Sequence, residues 1–301
     1  MTLFSRDGRI VTWFGPTTDG SREVYVAHLD SQRLEPIATG ITSFPHAVAL
    51  STDGSRIALI DQGGILTIYD LPSRRSLGSA RAPAGPAWAM SLAFVTADTL
   101  RIYVRDPPNS RFSIFEYSIA TKTLRETGQF ATARYAMLRF TGDQARALIR
   151  SQRGDSLELR DARSGAILTT LAPHAGARLG NAMFLRDGRI VASELGSNAA
   201  MLRLFASDGT ALRDIGLRDL TAAYVRAITP DDRVIVTAHR SQQGWSAVVV
   251  DLNRGAILRL EPGLQPLSYG SVRSGAVLCM TTSKELVAWD LTSGAKRPIS
   301  R

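Results

Sequence analysis

The chain repeats itself. A turn preceding an apolar run recurs at Asp7, Asp53, Ala97, Asp143, Asp187, Asp231 and Ser274, at successive intervals of 46, 44, 46, 44, 44 and 43 residues. A unit of that length holds about four short strands, and a repeat of roughly 40 to 50 residues marks a β-propeller. Seven such units use all 301 residues. The sequence therefore predicts an all-β fold: a seven-bladed β-propeller of four-stranded antiparallel blades. It forms one domain over 1–301, with blades near 1–40, 41–83, 84–130, 131–173, 174–217, 218–264 and 265–301. The repeat overrides the two domains that length alone would suggest.

The second unit shows the pattern most clearly. Its predicted strands are Ala47–Leu50, Arg56–Ile60, Ile65–Tyr69 and a last short one around Ser76–Gly78, separated by Ser51–Gly54 and Asp61–Gly64. Asp, Gly and Ser at those separations suit tight turns. Third strands end on an acid at Asp70, Asp161, Asp251 and Asp290, whereas the units around His28, Ser118 and Ala206 depart from this. Carboxylates that recur at one position in several units are assigned to turns, since a catalytic pair needs a single copy. The last unit carries its own fourth strand at Lys296–Ile299, with Pro298 suited to a sheet edge.

Ser51 to Asp70 has the order and the 20-residue length of a WD repeat, and Trp289-Asp290 is the dipeptide itself. The chain resembles the WD-repeat (WD40-like) β-propellers over essentially its whole length, as a divergent member. The buried His, Ser/Thr, Asp and Trp network of that family has no counterpart in the second unit, where the hydroxyl and acidic positions fall on Leu59 and Gly63. Blade stability is then expected from apolar packing. The longer second turns, 15–22 and 239–245, are similar to those of TolB-type repeats.

The resemblance implies a non-catalytic platform or scaffold for protein partners, which dock on the loops entering the first strands and on the second-to-third-strand loops. On this chain the candidate partner-binding residues there are Phe44, Trp88, Arg134, Tyr135, Arg178, Tyr224, Arg240, Trp245 and Tyr269, with Arg105 and Arg153 in the same loops. Aromatic rings and arginines dominate interface energetics. The segment Ala82–Ala87 presents Trp88 on a semi-rigid proline-containing stretch.

Composition narrows the chemistry. The net charge is +9, and almost all of the 36 basic residues are arginine. That favours acidic partners. The arginines are scattered through the units without the basic runs of nucleic-acid tails, so nucleic acid is disfavoured as a partner. The four histidines His28, His46, His174 and His239 include no pair at metal-binding helix spacing, and no glycine motif for a nucleotide occurs. No catalytic residue, metal or cofactor is assigned. Gly244-Trp245-Ser246 lacks the second glycine of a nucleophile elbow, so Ser246 reads as a strand residue. The lone Cys279 sits in an apolar run and reads as a buried thiol.

No apolar run reaches the length of a membrane span. The expectation is a cytoplasmic monomer, or a periplasmic protein if a signal has been lost from the N-terminus, as TolB-like proteins are. Two alternatives remain: a propeller-class hydrolase such as a lactonase, and an anionic-ligand-binding propeller detached from a larger protein.

Overall fold

The structure, a computed structural model, describes residues 3–4, 10–16, 22–28, 33–37, 47–51, 53–61, 63–81, 88–106, 111–131, 138–141, 143, 145–196, 199–229, 231–240, 244–267, 270–271 and 275–299. They form two compact units. One spans Met1–Arg134 and takes in Ala162–Ala166; the other spans Tyr135–Asp161 and Ile167–Ile299.

The first unit contains three antiparallel sheets, each with its strands in chain order. They are β1 Leu3–Phe4, β2 Ile10–Pro16, β3 Arg22–His28 and β4 Arg33–Ile37; β5 Ala47–Leu50, β6 Arg56–Ile60, β7 Ile65–Asp70 and β8 Arg75–Arg81; and β9 Trp88–Phe94, β10 Thr99–Asp106, β11 Arg111–Ser118 and β12 Thr123–Ala131. The second unit opens with β13 Leu138–Phe140, β14 Arg146–Arg150, β15 Leu157–Asp161 and β16 Ile167–Leu171, followed by β17 Arg178–Phe184, β18 Ile190–Leu195, β19 Ala200–Phe205 and β20 Ala211–Leu217. Next come β21 Ala222–Ile228, β22 Arg233–Arg240, β23 Gly244–Asp251 and β24 Ala256–Pro262. The last strands are β25 Leu264–Pro266, β26 Gly270–Ser271, β27 Ala276–Thr281, β28 Leu286–Asp290 and β29 Lys296–Pro298.

The expectation of seven four-stranded antiparallel blades is corrected: the structure contains six such blades, not seven. The exception is the sheet built on β21–β24, which is five-stranded and mixed because β26 pairs with β21 in parallel, Ala227 opposite Gly270 and Ile228 opposite Ser271. A first strand has an open edge whose backbone donors and acceptors need partners. At β21 a dipeptide from the next repeat fills that edge. Two residues carry no hydrophobic period, so the repeat pattern cannot reveal such a strand.

Each sheet packs through alternating side chains. Ile57, Leu59 and Tyr69 join Val24, Val26, Ile37 and Val48 in one buried cluster. Their neighbours Ala58, Ile60, Leu66 and Ile68 point the other way, into a cluster with Leu92, Phe94, Leu100, Ile102 and Tyr117. In the second unit Leu148, Leu157 and Leu159 pack on Leu179, Ile190 and Phe205, while Val191, Leu202 and Leu204 pack on Val225, Val234, Val236 and Val248. A strand buried on both faces reads as a continuous apolar run. Fourth strands are sheet edges and are largely exposed, as in β20 and β29. Cys279 is fully buried, and burial pushes its thiol pKa up.

Between first and second strands one turn recurs. Ser51 Oγ donates to Asp53 at 2.6 Å, Thr141 Oγ1 to Asp143 at 2.5 Å and Thr229 Oγ1 to Asp231 at 2.5 Å. The same hydroxyls accept from the backbone N of Arg56, Arg146 and Arg233. After the third strands, Asp251 and Asp290 accept from the amides two and three residues on, and Asp70 from that of Ser73. The assignment of these carboxylates to turns is therefore correct. The charged forms of Asp53, Asp143, Asp251 and Asp290 gain hydrogen bonds, chiefly from Ser51, Thr141, Arg254 N and Ser293 N in that order, which lowers the pKa of these four.

Two outcomes are expected. Ile68→Ala, at a fully buried position, should cost about 2–5 kcal/mol in urea unfolding, whereas Leu212→Ala on an exposed edge should stay within about 0.5 kcal/mol. Asp53, Asp143, Asp251 and Asp290 titrate below their unfolded value of about 3.9, so their stabilisation is complete above it and is lost as pH falls through the folded values. Stability should thus drop below about pH 4, and Asp53→Asn should make that drop shallower.

Candidate interaction site

The β22–β23 hairpin places an aromatic group at one end of its sheet. In the ladder His239 faces Trp245, Ala222 faces His239 and Tyr224 faces Thr237, so these side chains share one face. The opposite face, with Ala223, Val225, Val236 and Val248, is core. The Trp245 ring lies 5.8 Å from Tyr224 and 5.2 Å edge-on from His239. Thr221 Oγ1 lies 3.2 Å from His239 Nδ1 and donates to the His239 carbonyl at 3.1 Å, which fixes the imidazole. Trp245 is 37 % exposed and is the one aromatic among the exposed large hydrophobics described.

The segment 239–245, read as a long turn, is mostly strand, since β22 runs to Arg240 and β23 begins at Gly244. Deeper on the same sheet Arg226 Nε donates to Thr237 Oγ1 at 2.9 Å. Burial, and next the Arg139 guanidinium, lower the Arg226 pKa, against an opposing effect from Tyr224.

Three of the nine sequence-predicted residues have described side chains. Tyr224 and Trp245 are in contact. Arg178 is exposed at the start of β17, beside Arg150, which donates to the carbonyls of Gly154, Leu179 and Gly180. Burial, then Arg178, lower the Arg150 pKa. Trp88 and Arg240 lie on strands described through their backbone. Phe44, Arg134, Tyr135 and Tyr269 lie outside the described residues.

Sequence reasoning missed a polar cluster. Glu194 on β18, 1 % exposed, accepts from the backbone N of His174 at 3.1 Å and lies 2.9 Å from His174 Nδ1 and 3.4 Å from Arg203 Nη1. Asp214 on β20 completes it, 3.2 Å from His174 Nε2 and 3.1 Å from Arg203 Nε. His174 thus ties a loop to β18 and β20, and Arg203 joins the same two carboxylates from β19. The four positions are 9 to 40 residues apart in the chain, so no local motif announces them. Among the described residues no group of three or more His, Cys, Asp or Glu is placed to hold a metal ion.

No family model matches the chain, and no curated protein matches it. Among solved structures it is similar to the Myceliophteria thermophila Cps50 (Swd1) beta-propeller domain, at 11 % identity and a TM-score of 0.67, over 97 % of this chain and 96 % of that one. The chain folds as a β-propeller. In all, 1611 solved chains match, a breadth at which fold says little about role. No helix among the described residues is long and apolar enough to cross a membrane.

A double-mutant cycle on Tyr224→Ala and Trp245→Ala should return a coupling of about 0.5–1.5 kcal/mol, the usual size for an aromatic pair. Additive effects would show that the two rings do not support each other.

Proposed function

We propose that this chain is a non-catalytic interaction platform for protein partners, and that Tyr224, His239 and Trp245 form part of its docking surface. The observation that carries this reading is the half-exposed Trp245 ring held between two others. A ring already fixed in place loses little freedom on binding, and tryptophan is among the residues that concentrate interface energy. The net charge of +9 favours an acidic partner by steering its approach. On the same reading the chain works as a monomer, in the cytoplasm.

The test is affinity capture with quantitative mass spectrometry, comparing the wild type with Trp245→Ala and Tyr224→Ala. Leu212→Ser on an exposed edge strand serves as control. Proteins held by the wild type and the control should be lost, or reduced about tenfold or more, in both aromatic variants. Retention of every partner by aromatic variants with unchanged circular dichroism would place the docking surface elsewhere.

A further inference from the structure

Strand β10 carries three polar side chains in a row on one face, Arg101, Tyr103 and Arg105, while Leu100, Ile102 and Val104 point into the opposite core cluster. The first two of the row have partners. Arg101 turns its Nε and Nη2 edge on Glu116 Oε1, at 3.3 and 2.9 Å, and the Tyr103 hydroxyl donates to the Ala162 carbonyl at 3.0 Å. Arg160 holds Glu158 by the same Nε and Nη2 edge, at 2.9 and 2.5 Å. In Arg105 that edge is buried, and neither Nε nor Nη2 meets a hydrogen-bond partner among the described residues. The residue as a whole is 8 % exposed.

A guanidinium cannot shed its charge, so a buried edge without a partner is costly. Nε–H and Nη2–H are parallel donors whose spacing matches the two oxygens of one carboxylate or phosphate. We infer that Arg105 is the anchor of an oxyanion site on the β9–β12 sheet, which takes one carboxylate or phosphate group in bidentate fashion. Phe112, fully buried and directly opposite Arg105 in the ladder, places an apolar neighbour beside it. An apolar surrounding strengthens the charge-assisted pair. This site is separate from the aromatic group on β21–β23 and does not rest on the interaction reading.

The test follows heat unfolding and calorimetric binding of the full chain in sodium chloride at constant ionic strength. Inorganic phosphate is titrated in one arm, and a short glutamate-containing peptide in the other. Saturable stabilisation of the wild type in either arm is expected, and the arm that binds more tightly names the source of the group. Arg105→Met, which removes the charge and keeps an unbranched side chain, should lose that stabilisation and be at least as stable as the wild type in chloride alone. Arg105→Lys, which keeps the charge without the fork, should bind about tenfold more weakly or worse, and it decides the matter if Arg105→Met does not fold. The inference is overturned if neither arm stabilises the wild type, as when water fills the site, or if Arg105→Lys binds as tightly as the wild type.

Discussion

Within each unit, neighbouring sheets share buried apolar clusters, and that demand shapes the rest of the chain. Because Ile57 and Leu59 face one neighbour while Ala58 and Ile60 face the other, a single strand must be apolar at nearly every position. Such strands cannot advertise an inside and an outside by alternation. Polar residues are therefore driven to the turns, where Asp and Ser or Thr close hydrogen bonds locally, and to the outer strands, where Leu212, Ile257 and Leu258 are among the few apolar groups left exposed.

Arginine supplies a second, directional link between sheets. Arg56 Nη1 donates to the Ala97 carbonyl at 2.5 Å, Arg146 Nη1 to that of Ser207 at 2.6 Å, Arg213 Nη1 to that of Asn253 at 2.9 Å and Arg259 Nη2 to that of Thr292 at 3.0 Å. Arg189 likewise pairs with Asp232. Each of the four carbonyl contacts joins a strand of one sheet to a turn of the next, and the Arg189–Asp232 pair joins two turns. A guanidinium suits the task because its long stem spans the gap and its several donors reach carbonyls as well as carboxylates. Five of the arginines are thus engaged by the repeat itself. Carbonyl acceptors leave the formal charge uncancelled, which is why so many arginines can be structurally engaged in a chain that remains basic.

The first three strands of the second unit of the repeat were legible almost to the residue: Ala47–Leu50 and Arg56–Ile60 are β5 and β6, and Ile65–Tyr69 is β7 short of Asp70, whereas the fourth, expected around Ser76–Gly78, runs over Arg75–Arg81. Asp and Gly turns punctuate that stretch at every join, so local chemistry and global repeat agree. β26 was not legible, since its pairing depends on where the chain passes an open edge. The cluster of Glu194, His174, Arg203 and Asp214 was hidden for a related reason, as its members meet only once three strands and a loop are in register. Tyr224 and Trp245 were picked by residue type and by their place in the repeat, and the ladder brings them together. His239 was noticed as a histidine but not as the third ring, because only the facing register of β22 and β23 puts it beside Trp245.

Strand length connects the two groups that lack an obvious structural purpose. β22 and β23 are eight residues each, as are β10 and β11, whereas β6, β14 and β15 have five. Added rungs extend a hairpin beyond the length of the shorter ones. Side chains on those rungs are fixed in place by the ladder. Trp245 and His239 stand on the added rungs of one hairpin, and Arg105 beside Phe112 on those of the other. In the shorter hairpin of β14 and β15 the terminal Arg150 instead turns back onto backbone carbonyls. Rigid placement combined with unmet contact is what a recognition group requires, since a ligand then meets donors and rings already in position. These two hairpins satisfy that condition in different chemistry, one with tilted and edge-on rings and the other with a buried guanidinium edge.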